Sequence, residues 1–124
     1  MNHDEKELRD LDLWIAEHVM AYTRGHPGGC AKEYWQPPPY KFGVIPVEKV
    51  PKFTTNPADA MAVLEKCAEK CTVTIECAKN ASGDWQAMVS RLNQEGRKTV
   101  EDFCKVADTL PLAICLFSKK IFAP

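Results

Sequence analysis

In the stretch Cys71-Thr72-Val73-Thr74-Ile75-Glu76-Cys77, apolar and polar residues alternate. A period of two residues predicts a half-buried β-strand. The turn signal Asn80-Ala81-Ser82-Gly83 follows, and residues 84–92 are predicted to form the partner strand. Val73, Ile75 and Cys77 share one face of the first strand, and Trp85, Ala87 and Val89 share one face of the second.

The next segment, residues 97–106, fits either a strand or a helix. A strand would place Val100, Asp102, Cys104 and Val106 on one face, whereas a helix would group Val100, Phe103, Cys104 and Ala107. We favour a strand, because a lone hairpin is marginal in water and a third strand makes a stable sheet. The centre of the chain therefore predicts a three-stranded antiparallel meander.

Helical patterns flank this meander at residues 4–22, 57–70 and 110–122. Asn56 and Pro57 are suited to the N-cap and first positions of the second helix. The last helix is apolar nearly all round until Ser118, which indicates burial in a core or an interface. The order α-loop-α-β-β-β-α predicts an α+β fold over residues 1–124, a meander sheet layered with helices.

Residues 23–56 are rich in proline and aromatic residues, and they are predicted to be a long loop with a short edge strand within 41–50. A loop this long in a compact domain is usually functional or disordered. Its aromatic residues argue against disorder.

Composition limits the function classes. The net charge of −1 gives no basic field to attract nucleic acid or membranes. No apolar run reaches the roughly 18 residues of a membrane span, and the polar, acidic N-terminus is unlike a signal peptide. We therefore expect a cytoplasmic protein whose six cysteines stay reduced, mostly as small core hydrophobes.

Catalytic and metal-binding motifs are absent from the sequence. It has no Gly-x-Ser-x-Gly, no phosphate loop and no His-Glu-x-x-His. It also lacks the Cys-x-x-Cys pairs of structural zinc sites. We therefore predict a non-enzymatic protein with no metal and no cofactor.

Three motifs carry a resemblance to a known family. They are Leu11-Asp12-Leu13-Trp14-Ile15-Ala16-Glu17-His18-Val19-Met20, the stretch from Phe53 to Cys67, and Ala107-Asp108-Thr109-Leu110-Pro111-Leu112-Ala113-Ile114-Cys115-Leu116-Phe117. Together they resemble small phage and prophage proteins with the phage ABA sandwich domain. The resemblance implies a helix–sheet–helix fold in a phage-encoded protein of the bacterial host cytoplasm. It implies no activity and no site residues.

The aromatic-proline loop is the predicted ligand-binding surface. Aromatic faces stack on bases and nearby cations meet phosphates, and aromatic residues also anchor protein interfaces. The alternative is that these rings fold back over the sheet as a second core. The candidate ligand-binding residues are Arg24, Tyr34, Trp35, Tyr40, Lys41 and Phe42.

A second predicted surface is an interface between copies of the chain. In the first helix Leu13, Trp14 and Met20 lie off the buried stripe, and in the last helix Leu112 and Leu116 lie beside it. These positions predict a homo-oligomer.

The leading functional hypothesis is a phage-encoded binding protein that sequesters a nucleotide-like host immune signal as an oligomer. The first alternative is an inhibitor or adaptor that binds a host defence protein directly. The second is an RNA-binding or structural accessory domain. We do not expect specific nucleic-acid binding, because the last helix begins Thr109-Leu110-Pro111-Leu112 without a basic residue.

Overall fold

The computed structural model describes residues 4–25, 33–40, 43–91 and 104–123, and the structural statements below refer to these ranges. They contain three α-helices and two three-stranded antiparallel sheets. The α+β class is therefore confirmed, and the first of the two sheets is an addition that the sequence does not predict. No helix in these ranges is long and apolar enough to cross a membrane.

Helix α1 spans Glu5–His18. Asp4 begins it, because its carboxylate accepts a hydrogen bond from the Glu7 N–H at 2.7 Å and satisfies one of the free amides of the first turn. The helix predicted over 4–22 ends four residues early. Soon after its end, the backbone of Ala21 has a φ of 59°, which no α-helix accommodates.

The segment predicted as a long loop contains a small sheet. Strands β1 (Thr23–Gly25), β2 (Tyr34–Gln36) and β3 (Ile45–Pro46) pair antiparallel in that order, and a 3-10 helix follows at Val47–Lys49. The edge strand predicted within 41–50 is thus confirmed only at 45–46. Strands of two or three residues are too short to give a readable period.

Helix α2 spans Pro57–Ala68, close to the predicted 57–70. The Asn56 side chain caps it as expected, since Oδ1 accepts from the Ala58 and Asp59 amides at 2.9 and 3.3 Å.

The second sheet is the predicted meander. Strands β4 (Val73–Lys79), β5 (Trp85–Arg91) and β6 (Cys104–Ala107) pair antiparallel in the order β4-β5-β6. The strand preferred for 97–106 is confirmed from Cys104 onward, and residues 97–103 lie outside the described ranges. Gly83 closes the β4–β5 turn at a φ of 85°, where a side chain would be strained.

Helix α3 spans Leu110–Phe122, as predicted, and packs against β5, β6, α2 and α1. This central position explains its almost uniformly apolar sequence, because Ala113, Ile114, Cys115 and Phe117 are all buried. Since α3 lies against β5 and β6, strand β4 remains at a less covered edge of the sheet. Ile75 on β4 is 39% exposed, while its direct partner Val89 on β5 is fully buried.

Candidate functional site

The predicted ligand residue Trp35 is in the core. It lies at the centre of β2 and is fully buried, so neither face of its ring is open to a base. The prediction that Trp35 is a stacking platform is therefore wrong: the ring is buried, as the alternative expects, but it belongs to the main core cluster and not to a second core. Trp35 pairs with Arg24 on β1 and with Ile45 on β3, so β2 is the middle strand of the small sheet.

Arg24 is half-exposed, but its charge is already neutralised. Its guanidinium lies 3.6 Å from Glu17 and 3.9 Å from Glu33, and its Cζ lies 5.7 Å from the centre of the Trp35 ring. A phosphate at this place would have to compete with two carboxylates. The contact that Arg24 makes in the fold is therefore with the Trp35 ring, which it covers.

The remaining predicted loop residues do not gather into one open site. Tyr34 is half-buried on β2. Tyr40 is 45% exposed, yet its hydroxyl donates a hydrogen bond to the Ala21 carbonyl at 2.5 Å and so ties two backbone turns together. Lys41 and Phe42 lie outside the described residues.

The residues predicted to form an oligomer interface contact the chain's own core. Leu13, Trp14, Met20 and Leu116 are half-buried against it, and Leu112 is buried within it. Trp14 is further covered by His18, whose ring stacks on it at 4.5 Å, and by Lys119 at 5.9 Å. His18 itself is exposed, and its Nδ1 lies 3.0 Å from the Trp14 carbonyl oxygen.

Asp12 is a buried charged residue that the sequence analysis does not single out. It is 3% exposed, and its Oδ1 accepts a hydrogen bond from the Thr54 N–H at 2.8 Å. Arg9 pairs with its Oδ2 at 3.4 Å and also donates to the carbonyls of Val47 and Pro51. The Asp12–Arg9 pair therefore connects α1 to residues 47–54.

Three thiols approach one another where α2 meets α3. Burial raises the pKa of the Cys67 thiol to about 12, and burial followed by the charge of Asp12 raises the pKa of Cys115 further. Burial also raises the pKa of Cys71. Such thiols stay protonated and are poor nucleophiles. Across the described part of the chain, no three His, Cys, Asp or Glu side chains are placed to hold a metal ion.

An open groove lies between the end of α2 and the beginning of β4. Its volume is about 620 Å³. The lining is mainly apolar on the side of the sheet and charged at the helix end, and comprises Leu64, Ala68, Glu69, Lys70, Cys71, Thr72, Val73 and Ile75. The alternation along residues 71–77 correctly places Val73, Ile75 and Cys77 on one face of the sheet, the face of the buried Val89. It cannot show that Ile75 and Cys77 are exposed there, because that depends on which helix covers this edge.

Strand β4 also has backbone N–H and C=O groups that do not bond to β5. Hydrogen-bonded and non-hydrogen-bonded pairs alternate along an antiparallel ladder. The Asn80 N–H donates to the Asp84 carbonyl at 2.9 Å, which fixes this alternation at the turn. It follows from the register that Thr74, Glu76 and Ala78 bond to β5, while Val73, Ile75 and Cys77 direct their N–H and C=O groups to the outer edge. None of the described strands pairs with that edge.

An exposed aromatic residue lies beside the far end of β4, at the first position of β5. Trp85 is 64% exposed, and the ammonium of its cross-strand partner Lys79 lies 5.3 Å from its ring centre. This pair combines an open aromatic face with a cation, the combination that the sequence predicts for the loop around Trp35. The candidate functional surface is therefore the outer edge of β4, from the groove at Val73 to Trp85.

Comparison with known proteins finds no relative: no family model, no curated protein and no solved structure matches this chain. The resemblance to the phage ABA sandwich domain stays a prediction from the three motifs. The functional argument accordingly depends on the geometry of the β4 edge.

Proposed function

We propose that the protein is a non-enzymatic binding module that takes up an extended segment of another protein as an added strand along β4. One observation carries the proposal: a seven-residue edge strand directs backbone groups outward beside an open apolar groove. In strand addition the main-chain hydrogen bonds supply affinity, and pockets for alternate side chains supply specificity.

The protection that sheet edges normally carry is weak along β4. Natural edges are blunted by proline, by bulges or by charges that point inward. Val73–Lys79 contains no proline. All seven of its residues pair in one unbroken register with β5. Its outward-directed backbone groups belong to apolar residues as far as Cys77, and the one helix-facing charge is at the end of the strand, at Lys79.

If the chain is phage-encoded, as the resemblance implies, the partner is a protein of the bacterial host. The protein would then act as an inhibitor or adaptor, which agrees with the alternative stated from the sequence. Binding of this kind uses no reacting group, so it needs neither a metal nor an activated thiol.

The test removes one outward-directed N–H and leaves the ladder to β5 intact. Cys77→Pro deletes that donor, and Cys77→Ala is the matched control that keeps it while truncating the same side chain. Both variants and the wild type are applied to an array of random seven-residue peptides, after circular dichroism has verified the fold. We expect Cys77→Ala to retain the wild-type set of peptides and Cys77→Pro to lose it. Equal binding by the two variants, or no binding by the wild type, would refute strand addition.

A second candidate function keeps the nucleotide hypothesis and moves it to Trp85. The exposed Trp85 ring could stack on a base while Lys79 meets a phosphate. A nucleotide at one hundred times its dissociation constant would stabilise the fold by about 2.7 kcal/mol. Thermal unfolding against linear and cyclic nucleotides tests this, and Trp85→Ala should abolish any shift. A panel without a shift would exclude this candidate.

A further inference from the structure

We infer that the segment accepted at β4 has an apolar centre with an acidic residue at each end. This inference rests on the proposed strand addition and specifies the chemistry of the partner. It follows from the order of residues along the helix-facing side of the β4 edge.

A lysine stands at each end of this edge. Lys79 ends β4 and lies over Trp85 at 5.3 Å, and Lys70 lines the groove beyond Val73 and lies over the Phe122 ring at 5.0 Å. Both lysines are exposed. Their contacts with aromatic faces leave the ammonium groups able to meet a carboxylate, since a cation over a ring still has N–H donors on its other side.

Between the two lysines the edge is apolar. Val73, Ile75 and Cys77 alternate on the helix-facing side, and Leu64 adds to the groove beneath them. Directly opposed residues of an antiparallel pair share a face and interact through their side chains. An added strand would therefore place apolar residues opposite these three positions.

The acidic residues close to this edge do not cancel the two lysines. Glu69 is the acidic residue that lines the groove, and it lies 3.9 Å from Lys66 on α2. Glu76 belongs to β4, but the alternation of the strand places it on the opposite face of the sheet from Ile75. The helix-facing side of the edge thus favours a partner strand that carries a negative charge at each end.

A second copy of the chain does not satisfy this pattern. If the β4 strands of two copies paired antiparallel over their full length, the two Glu76 residues would be directly opposite each other. Val73 of one copy would then oppose Lys79 of the other. Like charges in that arrangement are destabilising. No acidic residue would then face Lys79, so the occupant that fits is a different protein.

The experiment compares three labelled peptides by fluorescence anisotropy with the full chain. All share the alternating centre Val-Thr-Ile-Thr-Val, and their flanking residues are glutamate, glutamine or lysine. Exposed ion pairs contribute two- to five-fold each. We therefore expect the glutamate peptide to bind about ten-fold more tightly than the glutamine peptide at low salt, and the advantage to shrink at high salt.

A charge swap decides the inference. In the Lys70→Glu/Lys79→Glu variant the preference should reverse, so that the lysine peptide binds most tightly. If all three peptides bind the wild type equally and Cys77→Pro abolishes their binding, strand addition stands and the acidic flanks are wrong. If Cys77→Pro and Cys77→Ala bind all three peptides alike, the proposed function itself fails. A wild-type chain that forms a dimer which Cys77→Pro dissociates would overturn the assignment to a different protein.

Discussion

The guanidinium carbon of Arg24 lies 5.7 Å from the centre of the Trp35 ring, and the two residues are direct partners across β1 and β2. The sequence predicts both as parts of one ligand site. In the structure they contact each other, and Glu17 and Glu33 hold the arginine in place. The pair therefore belongs to the packing of the small sheet against the core, and it does not form an open ligand site.

Replacement of Trp35 should consequently affect stability. Removing a fully buried tryptophan leaves a large cavity, so Trp35→Ala should lower the free energy of unfolding by about 3–5 kcal/mol. Trp35→Phe should cost much less, because the indole N–H has no hydrogen-bond partner to lose. Urea unfolding followed by circular dichroism measures both. A Trp35→Ala chain as stable as the wild type would contradict the buried position.

Asp12 should contribute far more to stability than its neighbour Asp10. Asp12→Ala leaves the buried Thr54 N–H and part of Arg9 without an acceptor, which should cost about 3 kcal/mol. Asp10→Ala removes only an exposed pair with Lys6 and should leave the free energy of unfolding nearly unchanged. Equal losses in the two variants, measured in urea, would show that the Asp12 contacts are not stabilising.

The two caps of α2 and α3 should differ in their contribution. Asn56→Ala loses two side-chain hydrogen bonds to the first turn of α2 and should destabilise the protein by about 1 kcal/mol. Thr109 makes no capping bond through its side chain, so Thr109→Ala should be nearly neutral. The comparison is read from thermal unfolding midpoints of the two variants. A larger loss at Thr109 than at Asn56 would be the contrary result.

The buried thiols predict a loss of stability at alkaline pH. The pKa of Cys67 rises from 9.0 to about 12 on folding, and the pKa of Cys115 also rises. Above about pH 9 the unfolded chain releases these protons first, so the free energy of unfolding falls as pH rises. The slope approaches about 1.4 kcal/mol per pH unit for each thiol. Urea unfolding between about pH 8 and 10.5 should show a shallower slope in the Cys67→Ala/Cys115→Ala variant, and an identical slope would contradict the assignment.

Local patterns predict the regular elements of this chain well. The alternation at 71–77, the cap at Asn56 and the apolar stripe at 110–122 each correspond to an element of the structure. These signals are local, because they depend on neighbours within one or two turns or along one strand. The first sheet has no such signal, since its strands are two or three residues long and meet across separated parts of the chain.

The candidate site is harder to predict, because exposure depends on which element covers which. Trp35 and Trp85 are both tryptophans on strands, yet one is fully buried and the other is 64% exposed. Trp35 lies in the middle strand of its sheet, with a partner on each side, whereas Trp85 begins β5 two residues before the first pair with β6 at Ala87. No pattern within either strand carries that information.

The outward-directed backbone groups of β4 have a consequence for how a partner protein could change over generations. Every residue except proline carries the same N–H and C=O groups, so a ladder along β4 would tolerate most replacements in the partner's strand. A partner under pressure to evade capture would have few routes: a proline in the strand, a charge opposite Ile75, or loss of the segment from its surface. Recognition through the main chain would thus make resistance rare, at the expense of fine discrimination among related targets.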